Sequence, residues 1–129
     1  MIRFRYTKQL TPPAPFVYVS VQCTATGASV TDQPAQIDTG ADRSVLPKQL
    51  VTRLGLAEDG RAMFQGFGGE IVELPLYLVE IHVLGLRPLL VRAVLGAAES
   101  HILLGRDVLN AHRVFLDGPQ LALEVEQPS

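Results

Sequence analysis

Apolar and polar residues alternate in two stretches of the first part of this chain, with the period of two that puts one face of a strand on a core and the other in water. Residues 2–6 show the pattern, and residues 16–23 repeat it after Pro12, Pro13, Ala14 and Pro15, a stretch that neither a helix nor a central strand tolerates. Thr26, Gly27, Ala28 and Ser29 supply a turn, and residues 35–37 then run into Asp38, so that this carboxylate is expected where a strand gives way to a loop. Residues 61–65 and 71–82 read as two strands around Gly66, Phe67, Gly68 and Gly69, a hairpin with a glycine-rich tip. Shorter apolar runs at 89–95 and 102–104 have the length of buried strands, and residues 114–116 and 121–125 flank Asp117, Gly118 and Pro119 as a closing hairpin within 113–126.

Helical signals are few. Pro47 placed as a first helical residue, followed by Leu50, Val51 and Leu54 and closed by Gly55, predicts one short helix. Residues 107–111 predict one further helical turn. Strand never alternates with a long helix, so nothing suggests a parallel sheet, and the expected fold class is all-β: a barrel or sandwich with one or two short helices.

Composition narrows this further. With 129 residues, 47% of them hydrophobic and 19% charged, the chain is long enough to bury a core and too apolar for disorder, so a single domain over 1–129 is expected. Residues 1–15 form its N-terminal strand and Pro-rich connection. The net charge of −2 and the scattered Lys and Arg residues argue against a nucleic-acid partner. Charged residues break the most hydrophobic region, no apolar run follows Arg3, Arg5 and Lys8, and so neither a membrane partner nor a signal peptide is expected, which points to the cytoplasm. The only cysteine, Cys23, reads as a buried thiol. His82, His101 and His112 match no zinc spacing, and no serine stands in a recognisable nucleophile setting, so neither a metal nor any other cofactor is expected.

Three segments could carry chemistry. Asp38, Thr39 and Gly40, followed by Ala41 and Asp42, open the loop after a strand, but the triplet alone would arise by chance in roughly 2% of chains of this length. A plain alternative is a turn in which Asp38 bonds nearby backbone donors. Gly66, Phe67, Gly68 and Gly69 do not fit a dinucleotide loop, because Ile71 stands where the third glycine belongs and a strand follows. Ile102, Leu103, Leu104, Gly105, Arg106 and Asp107 form an apolar strand ending at a glycine, as residues 35–40 do, so the two segments could be copies of one unit.

Taken in order, Ile37 to Asp42, the tip at Gly66 to Gly69, and Ile102 to Leu109 resemble the retropepsin-like aspartic peptidases over most of the chain. The resemblance implies a small closed or partly closed barrel, a flap hairpin spanning about residues 63–72, and catalysis by Asp38. Water would be activated between two carboxylates, one from each subunit of a homodimer, because only one Asp-Thr-Gly is present. It also implies that Thr39 bonds across the dimer, that Gly40 meets the backbone of an extended peptide or protein substrate, and that Asp42 pairs with Arg106 beside that substrate. The hairpin over 113–126 departs from the viral members, which end sooner. The same residues also suit a non-catalytic dimeric module that binds peptides or dimerises a partner.

Overall fold

The computed structural model describes residues 1–66 and 68–128. It is mostly β, with 54% of residues in strands and 9% in helix, and forms a closed six-stranded mixed barrel with two short helices.

The strands are β1 (Ile2–Arg5), β2 (Phe16–Cys23), β3 (Ser29–Ile37) and β4 (Val45–Pro47), after which α1 (Lys48–Leu54) intervenes. Then come β5 (Glu58–Gln65), β6 (Ile71–Val83), β7 (Leu89–Gly96), β8 (Ile102–Leu104), α2 (Arg106–Leu109), β9 (Arg113–Asp117) and β10 (Ala122–Glu126). Neighbours run β2, β3, β8, β4, β7, β6, and β6 returns to pair with β2, which closes the ring. Closure satisfies the backbone groups that an open edge would leave exposed. β5 continues outward from β6, and the glycines after Gln65 turn the chain back at Ile71.

Alternation fills the barrel. Val17, Val19 and Val21 of β2 point inward and are almost fully buried, while Tyr18 and Gln22 stay exposed. Ala35, Leu46, Val79, Ile81, Ile102 and Leu104 join them in one continuous core. Buried side chains of this size each contribute about 1.5–3 kcal/mol through removal from water, which is what holds such short strands as β4 and β8 in place.

Several details differ from the sequence expectation. Two pairings are parallel, β3 with β8 and β4 with β7. Parallel neighbours need a long crossover, commonly a helix; here both crossovers run through the short α1 and then through strands β5 and β6, so the lack of long helices did not exclude them. β4 has only three residues and hides inside the helix signal. Pro47 is its last residue, extended at ψ 149°, and the helix begins at Lys48 instead. Gly55 closes α1 at φ 60°, a left-handed cap that glycine takes up readily. Cys23 is buried and unpaired, as read from the sequence.

Outside the barrel, β1, β10 and β9 make a three-stranded antiparallel sheet in that order. Phe4 lies opposite Leu123 and Ile2 opposite Val125, so the two ends of the chain are stitched together, and Phe4, Leu123 and Val125 extend the core. No helix among the described residues is long and apolar enough to cross a membrane.

Candidate active site

β3 and β8 run side by side with Ala35, Gln36 and Ile37 opposite Ile102, Leu103 and Leu104. Both strands therefore end at the same level, and the loop 38–42 and the segment 105–107 emerge next to each other. The Asp38 N–H donates to the Leu104 carbonyl at 3.0 Å, and the Arg106 N–H donates to the Ala41 carbonyl at 2.8 Å. Each segment thus anchors the other through backbone bonds that do not depend on side-chain identity.

The Asp38 carboxylate is half-buried at the mouth of this arrangement. Its Oδ1 accepts from the Gly40 N–H at 3.1 Å, and its carbonyl accepts from the Ala41 N–H at 3.2 Å. The turn proposed as the plain alternative is therefore real, but it occupies only one carboxylate oxygen. Oδ2 has no partner among the described residues and is available to a ligand. A Cβ on Gly40 would sit 3.3 Å from Oδ1, so a side chain there would press on the carboxylate.

Arg106 is placed as a clamp. Its Nη1 donates to the Thr39 carbonyl at 2.7 Å, while its own N–H holds Ala41. The expected pair between Asp42 and Arg106 is absent: Nη1 of the guanidinium donates to a carbonyl of the loop, and Asp42 is exposed with no ion-pair partner among the described residues. This is a correction to the sequence reading, and its cause is that spacing alone cannot tell a carboxylate acceptor from a backbone one.

Beneath the loop lies a polar network that sequence reasoning missed. Ser44 is the buried polar residue of the core. Its hydroxyl donates to Asp107 Oδ1 at 2.8 Å and its N–H donates to Oδ2 at 2.9 Å. The Gly105 N–H in turn donates to Ser44 Oγ at 3.1 Å, and the Val108 N–H donates to Asp107 Oδ1 at 2.9 Å. Every group is satisfied, which is the condition under which a buried polar cluster rigidifies rather than destabilises. Ser44 and Asp107 are 63 residues apart, and no local pattern signals their meeting.

Gly105 explains itself through space. A Cβ there would lie 2.5 Å from the carbonyl carbon of Arg43 and 2.6 Å from its oxygen. Only glycine lets the two loops approach this closely.

At the tip after β5, the Gly66 N–H donates to the Glu70 carbonyl at 2.9 Å and Gly69 takes up φ 79°. Phe67 falls outside the described residues. The structure joins the first and third segments by hydrogen bonds, and none among the described residues joins Gly66, Gly68 or Gly69 to the loop 38–42.

The arrangement offers one carboxylate with a free oxygen on a rigid loop, suited to taking or giving a proton. Asp107, on the adjoining segment, is engaged by Ser44 and Val108. Asp42, in the same loop as Asp38, is exposed, and among the described residues no second Asp-Thr-Gly loop accompanies that of Asp38.

Comparison with known proteins agrees with this geometry. The fold is similar to that of a retropepsin-like aspartic protease from Rickettsia conorii, with TM-score 0.63 and 15% identity over 99% of this chain and 92% of that one. It is also similar to the EIAV protease in complex with the inhibitor HBY-793, with TM-score 0.55 and 29% identity over 75% of this chain and 86% of that one. The retroviral protease-like domain of Ddi1 from Leishmania major gives TM-score 0.52 at 18% identity, covering 86% and 88%. The search of curated proteins returned no match. Residues 21–111 match the sequence profile of the gag-polyprotein putative aspartyl protease family, a span that contains both Asp38 and the Arg106 clamp, and the chain belongs to that retropepsin-like family.

Proposed function

We propose that the protein is an aspartic endopeptidase that works as a homodimer, cleaving peptide bonds with a water activated between two copies of Asp38. The observation that carries this reading is the Asp38 loop, pinned by Leu104 and Arg106 with Oδ2 left free. Two carboxylates at close range cannot both ionise, so they share a proton and act as base and acid; this is the established behaviour of aspartic proteases. A two-fold axis near Asp38 supplies the second carboxylate without a second motif.

Gly40, Ala41 and the unpaired Asp42 would meet the backbone of an extended substrate, Thr39 would reach across the two-fold, and the hairpin of residues 63–72 would close over the peptide as a flap. Exposed Met63, Ile71 and Val72 on that hairpin suit contact with a substrate chain. The test is incubation with an unfolded polypeptide from acidic to neutral pH, with and without a statine-class transition-state mimic. Cleavage that the mimic blocks is expected. Tight peptide binding with no cleavage would instead favour a non-catalytic module of the same fold.

The outer edge of β9 supports a contact between two copies. It is unpaired among the described residues, and Phe115 and Leu116 beside it are 61% and 46% exposed. Leu116 lies opposite the buried Leu123, on the face that packs on the barrel, yet remains open. Introducing Leu116→Lys is expected to shift the protein toward monomer in sedimentation and to lower activity most at low concentration. Unchanged sedimentation would move the interface elsewhere.

A further inference from the structure

A cleft of about 620 Å³ lies outside the barrel wall formed by β2 and β3. It is lined by Phe16, Tyr18 and Pro34 of these strands, by Arg5, Tyr6, Thr7, Gln9 and Leu10 from the N-terminal segment, and by Ser100 and His101. The His101 ring packs on Phe16 with centroids 4.8 Å apart.

The cleft is connected to Asp38 through neighbouring residues. His101 Nε2 shares a hydrogen bond with Gln36 Oε1 at 2.9 Å, and Gln36, near the end of β3, lies two residues before Asp38. Two strand residues span about 6.6 Å, so the cleft begins about 7–14 Å from the Asp38 carboxylate. An extended peptide covers that distance in about two to four residues.

Its chemistry has a sign. Arg5 lines the cleft and has no ion-pair or hydrogen-bond partner for its guanidinium among the described residues. Neither Asp nor Glu lines it, while hydroxyl groups of Thr7, Tyr18 and Ser100 do. The apolar lining suits methylene groups and Arg5 suits an anion.

We propose that this cleft is a specificity pocket for a glutamate side chain of the substrate, with Arg5 as the residue that selects its charge. The proposal rests on the peptidase reading of Asp38.

A digested-proteome peptide mixture is cleaved and the products sequenced, and a matched Glu/Gln peptide pair is then assayed. Glutamate is expected to be enriched at one position two to four residues from the cut. The Glu-to-Gln ratio of kcat/KM should fall by about tenfold toward unity in Arg5→Gln and be largely kept in Arg5→Lys. Cleavage by the wild type with no preference between Glu and Gln, or an equal preference in Arg5→Gln, would overturn the pocket and leave the peptidase reading intact. A wild type that neither cuts peptides nor binds a statine-class mimic would overturn both.

Discussion

Asp38→Asn is expected to remove peptide cleavage while the protein remains folded and dimeric. Asparagine keeps the shape of the side chain, and its Oδ1 can still accept from the Gly40 N–H, so the loop loses no anchor. The backbone bonds to Leu104 and from Ala41 are also untouched. What disappears is the ability of either subunit to hold or release a proton. General acid and base groups each contribute about 10²–10⁴ in rate, and the substitution removes both at once in a symmetric dimer. A loss of at least about 10³-fold in kcat/KM is therefore the expected result, with circular dichroism and sedimentation unchanged. Activity within a few-fold of wild type would remove Asp38 from the mechanism. Loss of the dimer together with activity would instead assign Asp38 a structural role at the two-fold.

Gly105→Ala should have the largest effect on stability among substitutions that add a single carbon. The new methyl group would meet Arg43 carbonyl atoms at 2.5 and 2.6 Å and the Ser44 nitrogen at 2.9 Å. These are backbone atoms and cannot swing aside. Relief requires the loop 38–44 to separate from residues 105–107, which strains the Gly105 bond to Ser44 and, through it, the Asp107 cluster. Overpacking typically costs about 1–3 kcal/mol, and a weakened buried hydrogen bond adds about 1 kcal/mol or more. Urea denaturation should show a loss of about 2–4 kcal/mol from the sum of those two effects. Gly118→Ala is the matched control: nothing lies within 4 Å of its added carbon, and a change within about 0.5 kcal/mol is expected. Equal behaviour of the two variants would mean that the close approach at Gly105 relaxes without cost.

Both predictions depend on residues whose visibility in the sequence was unequal. β2 and β8 have the bounds that alternation and apolar run length predicted, because each keeps a clean inward and outward face. The turn at Gly55 was likewise legible, since a left-handed cap has a strong residue preference. β4 was not, because three residues are too few to display a period. The Asp38 loop stood out through its triplet, whereas Ser44 and Asp107 looked like an ordinary loop serine and a helix-start acid. Arg106 was singled out correctly as a neighbour of the loop but assigned the wrong acceptor.

The division has a physical origin. Local order of side chains fixes which residues face inward, where turns are tolerated and where a carboxylate leaves a strand, so the sequence by itself determined an all-β chain of short strands and singled out the two segments around Asp38 and Gly105. Which strands become neighbours depends on contacts between residues far apart in the chain. Only the tertiary structure decided that β3 and β8 run parallel, that β1 pairs with β10, and that Arg106 turns to the Thr39 carbonyl and leaves Asp42 to solvent. Those choices follow from closing the barrel around one core, a condition that no segment can satisfy alone.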